Sequence, residues 1–354
     1  MKRETITFML NSIGDEYIGE TEVFRPYSVQ GSPERTDHMK KRRIITLLLA
    51  AVLMLALGIT AYAVWNIHTE RQQQLKSDLK IEENNVTSYT EYDVPEEQEG
   101  GLVLLSSVND GQVQHVYVNI SPVTKEEAAR FPADGSFAWS IAGTEIGGFA
   151  APQLPVELSL SGEEAIRDAV MENAYDEESQ TMTLQCYIDV KFLEKAAAEL
   201  GTEAVPLQVH LIAGENTARS FGPVSLSLTE KQSRHFDFGH AVYHDEELDK
   251  DIEIVGLELT PFSAVWKVRY EGAAAFHTPE ADWEAYQPWS MLEDKVCIEA
   301  KLVFPDGSAF STSGAMTCPY EDGVVKLNCA WGSAINIEDV QKIILGDLVL
   351  WENK

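Results

Sequence analysis

Residues 255–261 read Val-Gly-Leu-Glu-Leu-Thr-Pro, and residues 116–122 read Val-Tyr-Val-Asn-Ile-Ser-Pro. In both, apolar side chains recur at a period of two, the spacing of a strand with one face turned inward. Each ends in a hydroxyl residue followed by proline. The proline ring has no N–H to give to a ladder, so the strand must stop there or reach an edge. A second pair follows in the same order: His210–Ala218 can be laid on Lys301–Ala309, a strand and then a turn in each case. Asp306-Gly307 is a strong hairpin signal. Two matches in one order predict a mainly β region of two related β-sandwich-like domains, at 101–230 and 235–354.

Working outward, Leu102-Val103-Leu104-Leu105, Thr181–Val190 and Leu207–Ile212 extend the strand reading. Short helices are inserted among the strands. Thr124-x-x-Glu127 and Ser161-x-x-Glu164 have the form of capping boxes, and FLEKAAAEL stops at Gly201 as at a C-cap glycine. Asn66–Glu83 are good helix formers, and 84–100 (NNVTSYTEYDVPEEQEGG) are acidic and end in a Gly pair. Residues 66–100 are therefore expected to be a helical stalk and a linker.

Further toward the N-terminus, residues 44–65 read IITLLLAAVLMLALGITAYAVW, without a charged side chain. As a helix they would span about 33 Å, enough for a hydrocarbon core. Lys40-Lys41-Arg42-Arg43 stands just before them. The positive-inside rule then predicts a single-pass protein of the cell membrane, with a cytoplasmic N-terminus and an extracytoplasmic C-terminal region in contact with the lipid bilayer. Ala61-Tyr62-Ala63 has the small-x-small form of a leader cleavage site, so a cleaved leader stays open as the alternative. Residues 1–43 form the cytoplasmic head and linker. Ile6, Met9, Leu10 and Ile13 make one apolar helical face, and Ile18 lies on a second short helix. A head this small holds no core of its own, so these five side chains are the candidate partner contacts.

The chain has 354 residues, 57 acidic against 27 basic side chains, a formal charge of −30 and 44% hydrophobic residues. It can bury a core, and its charge argues against nucleic acid as a direct partner. No P-loop, G-x-S-x-G, H-E-x-x-H or C-x-x-C occurs. No catalytic residue, cofactor or metal site is therefore expected, and the protein is read as a non-enzyme. His235, His240 and His244 read as rim residues of a strand. Asp245, Glu247, Asp249 and Asp251 read as an acidic hairpin tip, without the glycine and terminal glutamate of an EF-hand. Trp283, Tyr286 and Trp289 stand three apart, ahead of and behind Pro288. They either stack on an envelope glycan or a protein ligand, or pack against their own domain. Cys318 and Cys329 flank the turn PYEDG, as partners in a disulfide or as free thiols.

The order of parts resembles a family of bacterial membrane-anchored, anti-sigma-factor-like proteins. The residues that carry the resemblance are Leu10–Glu20 in the head, Lys40–Val64 at the anchor and Val255–Trp266 in the second β domain. It implies a cytoplasmic segment that holds a sigma factor while an outer β region responds to the envelope. The head contains His38 and no cysteine, so the zinc-containing form of such a head is not expected. An anchored envelope-binding module with no transcriptional role is the alternative.

Overall fold

The computed structural model describes residues 66–94, 101–131, 135–141, 147–154, 162–213, 216–278, 282–312 and 318–353. Its first nine strands are β1 (Tyr89–Glu91), β2 (Gly101–Asn109), β3 (Val113–Ser121), β4 (Gly135–Ile141), β5 (Gly148–Pro152), β6 (Tyr175–Asp176), β7 (Thr181–Asp189), β8 (Ala204–Ala213) and β9 (Asn216–Ser227). They join one sheet in the order β1-β2-β3-β7-β5-β4-β8-β9, with β6 paired to β7. β9 returns against β2, and the sheet curls into a half-barrel. Gly222 marks the approach. A Cβ there would stand 3.0 Å from Leu102 Cδ2, at a φ of +95° that L side chains rarely adopt. One face of the sheet gathers Leu102, Val118, Phe137, Leu184, Leu207 and Leu226 into a core. The Glu163–Asn173 and Val190–Leu200 helices add Val170 and Leu193 to it.

The remaining strands are β10 (Arg234–Asp245), β11 (Lys250–Leu259), β12 (Ser263–Arg269), β13 (Ala300–Val303), β14 (Ala309–Ser311), β15 (Tyr320–Glu321), β16 (Val324–Ala330), β17 (Lys342–Leu345) and β18 (Leu348–Glu352). They form two sheets, β10-β11-β12-β16-β15 and β14-β13-β17-β18. Both feed one core around the fully buried Trp266, together with Leu292 and Val296 of the Trp283–Glu299 helix. Along β11 the inward side chains are Ile252 and Ile254, then Leu257 and Leu259. The parity changes across a register shift between Ile254 and Gly256, where a bulge turns the chain over. A Cβ on Gly256 would lie 2.7 Å from the Phe236 carbonyl oxygen, so the bulge needs glycine.

Residues 68–94 do not form a free stalk and linker. Residues 66–78 are helical, and Leu75, Leu79 and Ile81 are buried with Val103, Leu105 and Tyr117 on the second face of β2 and β3. The same cluster includes Phe262 and Ala334 of the C-terminal half, and Ala334 donates its N–H to the Leu79 carbonyl at 2.9 Å. This explains the unbroken apolar run Leu102–Leu105: Leu102 and Leu104 face the main core while Val103 and Leu105 face the helix.

The single-pass fold class is corrected. Among the described residues no helix is long and apolar enough to cross a membrane. The longest, Trp283–Glu299, has 17 residues, short of a bilayer, and bears Glu284, Glu293, Asp294, Lys295 and Glu299. The helical residues 68–78, expected to prolong a spanning helix, instead lay an amphipathic face on the sheet. Membrane, transmembrane and single-pass descriptions, and a single-pass membrane localisation, are accordingly not supported. Residues 44–65 and the head lie outside the described residues. The pair of sandwich-like domains is corrected as well. The first half is one curled sheet, so its β3 and β8 share a sheet, while their counterparts β11 and β13 lie in different ones.

Local signals fared unevenly. The Thr124–Glu127 capping box forms, and the Val190–Leu200 helix ends at a left-handed Gly201. The Glu163–Asn173 helix instead has Gly162 as its N-cap, with no side-chain cap bond. Ser161 lies outside the described residues.

Candidate functional site

Glu293 is a carboxylate with 1% exposure. The Trp283–Glu299 helix opens at Asp282, whose carboxylate accepts the Glu284 and Ala285 N–H groups, and it continues through Pro288. Tyr286 and Glu293 are two turns apart and so share a face. Tyr286 donates its hydroxyl to Glu293 Oε2 at 2.7 Å. Tyr270, just beyond β12, donates to Oε1 at 2.5 Å, and His277 Nε2 lies 3.1 Å from the same oxygen. The rings close over these bonds: Tyr270 stacks on Trp289 at 4.3 Å between centroids, and Phe276 stacks on Tyr286 at 5.8 Å. Burial first, and the Glu293 carboxylate next, push both phenols far above the ordinary tyrosine value. The same two causes push the half-buried Cys318 thiol up to about 12. These groups are held protonated, as hydrogen-bond donors rather than bases or nucleophiles.

A second place lies at the seam between the β halves, a cavity of about 280 Å³. The β2–β3 turn supplies Gly111 and Gln112, and the start of the Val190–Leu200 helix supplies Lys191. The outward face of β11, β12 and β16 supplies Glu258, Lys267 and Lys326. Gln112 Nε2 donates to Asn328 Oδ1 at 2.6 Å, and Ser263 Oγ donates to the Asp110 carbonyl at 2.8 Å, so both walls are joined. The Thr-Pro ending of β11 forms this corner. Thr260 Oγ1 accepts the N–H groups of Phe262 and Ser263 at 3.2 and 2.9 Å.

The carboxylates of the seam are each engaged. Asp110 meets His115 Nε2 at 3.0 Å and accepts two backbone N–H groups. Burial opposes its charge, but the hydrogen bond and charge of His115 with those donors hold it below the ordinary aspartate value. Asp189 caps Phe192 N–H, Glu258 takes Lys231, and Glu321 takes Lys326 at 2.7 Å. Lys191 and Lys267 have no ion pair or hydrogen bond among the described residues. Lys267 stands directly across the ladder from Lys326.

Tyr286 and Trp289 are thus drawn into the Glu293 cluster, and Lys250 Nζ sits 4.7 Å over the Trp289 ring. The structure says nothing of the Trp283 side chain. All four cysteines are free, so Cys318 and Cys329 are not joined. His235, His240 and His244 do lie on a strand, β10; His240 meets Glu253, and His244 meets Asp251 at 2.9 Å. The acidic tip after β10 folds onto Lys295, which bridges Asp245 and Glu247 at 2.8 and 2.6 Å beside a cavity of about 500 Å³. Ile6, Met9, Leu10, Ile13 and Ile18 lie outside the described residues.

No family model matches the chain, and no curated protein matches it. Among solved structures it is similar to the crystal structure of a conserved domain protein from Bacillus anthracis. The two share 9% identity over 72% of this chain and 75% of that one, with a TM-score of 0.31, a likeness too loose to bear on fold or activity.

Proposed function

We propose that the chain is a regulatory binding protein of the anti-sigma-factor-like kind. Residues 1–43 engage a protein partner, a sigma factor, through Ile6, Met9, Leu10, Ile13 and Ile18, and the β body governs that engagement. The observation that supports this reading is the fate of residues 68–94, which follow the head in the chain. A plain spacer would have no reason to be buried, yet Leu75, Leu79 and Ile81 sit in a cluster that draws on both β halves. Thr87 N–H adds a bond to Gln232 Oε1 at 2.8 Å. In this reading the body holds the stretch of chain that leads back, through residues 44–67, to the head.

The test is co-purification of the tagged full chain from its own cells, with captured proteins identified by mass spectrometry. A sigma factor is expected with the unaltered chain, falling at least about tenfold with Ile6→Asp or Leu10→Asp, since a charge in an apolar contact costs several times RT. Leu79→Ala, far from the head in sequence, is expected to change the yield about threefold or more. Recovery of no sigma factor, or equal recovery from all four chains, overturns the proposal.

A further inference from the structure

We propose that the seam cavity binds a small phosphate-type dianion, free phosphate or a phosphomonoester, held between Lys191 of the first half and Lys267 of the second. In a chain of charge −30, four lysines (191, 231, 267 and 326) converge on one cavity of about 280 Å³, beside four carboxylates (Asp110, Asp189, Glu258 and Glu321). Two are already answered, Lys231 by Glu258 and Lys326 by Glu321. The other two, Lys191 and Lys267, have no direct ion pair among the described residues and feel Glu321 and Glu258 only at longer range, and Lys267 faces a like charge. Lys267 and Lys326 are direct partners in the β12–β16 ladder, an arrangement that destabilises a sheet unless something of opposite sign lies between.

The protein's own carboxylates supply only part of that counter-charge: Glu258 acts on Lys267 from beyond ion-pair distance while it is paired to Lys231, and Glu321 acts likewise on Lys191 while it is paired to Lys326. Asp110 is spent on His115 and on the Gln112 and Val113 N–H groups, and Asp189 on the helix cap. The cavity has room for a small anion with a few waters. Its cations are ammonium points on flexible stems rather than planar forks, which suits the threefold oxygen array of phosphate better than a single carboxylate. The Val190–Leu200 helix begins at this wall and adds the positive end of its dipole. Lys231 is fixed in place from behind: a Cβ on Gly111, whose φ is +93°, would fall 2.5 Å from Lys231 Cε. An anion seated here touches both walls, so it fastens the two β halves together. This does not depend on what residues 1–43 bind.

The experiment is thermal unfolding of the full chain at fixed ionic strength in chloride, phosphate, phosphoserine and succinate, beside titration calorimetry with phosphate. Phosphate is expected to raise the midpoint by about 2 °C or more over chloride, and phosphoserine to match it if the natural ligand is a phosphomonoester. Succinate is expected to do less. Lys191→Met and Lys267→Met should each weaken phosphate binding about tenfold. The sharper sign is a crossing. In chloride Lys267→Met should melt at or above the unaltered chain, because a repulsion is removed, and in phosphate below it. A midpoint that phosphate does not raise over chloride, or a phosphate effect that survives both substitutions, overturns the site. So does a Lys267→Met chain that is equally weakened in both salts. Lys191→Met, on the opposite wall and outside any ladder contact with Lys326, keeps the test decisive if the β12 variant folds poorly.

Discussion

Alanine in place of Glu293 lowers the unfolding free energy by about 3–5 kcal/mol, the range seen when one member of a buried charged network is removed. The cause is what the substitution leaves behind. The Tyr270 and Tyr286 hydroxyls and His277 Nε2 all converge on the two Glu293 oxygens. Each would lose its acceptor at a partly buried site, at about 1–3 kcal/mol for a group that stays shielded from water and less for one that water reaches. Partial relaxation through the remaining Tyr270–His277 bond at 2.8 Å keeps the total below a plain sum. Glu293→Gln is the discriminating control. It keeps the volume and one acceptor oxygen but turns an N–H₂ toward one of the phenols, so a smaller loss of about 1–2 kcal/mol is expected. Urea unfolding of both variants, followed by tryptophan emission because Trp289 stacks on Tyr270, reads the difference. A Glu293→Ala chain less than about 1 kcal/mol weaker than the original would mean that the cluster is solvated and does not hold the helix to the sheet.

How much of this could be read from the residues varies by element. The strand β8 is legible because one of its faces is buried and the period of two survives along it. The 68–94 segment is much harder. Its buried stripe is His68, Gln72, Leu75 and Leu79, spaced as a helix face should be, but half of it is polar. The run Leu102–Leu105 was the better clue, since four consecutive apolar residues in a strand require cover on both faces. Tyr286 and Glu293 are seven apart and visible in principle, except that Pro288 reads as a stop. In the fold the helix runs past it, because the loss of one N–H bond is small beside the burial of Leu292, Val296 and Cys297. Tyr270 and His277 reach the site through loop geometry that no period encodes. The seam lysines are scattered over 135 positions of sequence and meet only through strand register, which a single chain does not display.

The same register explains why the two halves differ despite similar strands. Val116–Pro122 and Val255–Pro261 share a pattern because both are strands flanked on two sides, and pattern records burial rather than connectivity. In the first half the next strands continue one sheet around toward β2. In the second, the Trp283–Glu299 helix intervenes before β13, and the chain re-enters as a separate sheet. What looks like a repeat is thus a shared local solution. The functional consequence is at the seam, where the Thr260-Pro261 corner, the β2–β3 turn and the 68–94 segment come together from three parts of the chain.

Acidification from pH 7 to 4.5 removes about 2 kcal/mol of stability through His68 alone. Its side chain is buried at 2% exposure under the first sheet, and that burial lowers its pKa from 6.5 to about 4. Nδ1 accepts the Asn119 amide N–H₂ at 2.7 Å, and the Asn119 oxygen is held by the Thr183 hydroxyl at 2.8 Å. Protonation would set an N–H against that amide donor and charge a ring whose Nε2 has no partner. The sign follows from which state takes the proton. Between pH 6.5 and about 4 the unfolded chain binds a proton at His68 that the folded chain refuses, so stability is full above 6.5 and falls as pH drops through this window. The carboxylates held low, Asp110, Asp245, Glu258, Asp306 and Glu321, act in the same direction but only below their ordinary values of 3.8 and 4.5, and so leave most of the window to histidine, to which His210, also lowered by burial, adds. His68→Gln keeps an acceptor for Asn119 and cannot titrate. Its unfolding free energy should run about 2 kcal/mol flatter from pH 7 to 4.5, at a cost of about 1 kcal/mol at neutral pH. Parallel curves for the two chains would show that the ring is already reached by water. Because His68 begins the segment that ties the seam to the head, a steep curve would also make acid the mildest way to loosen that tie.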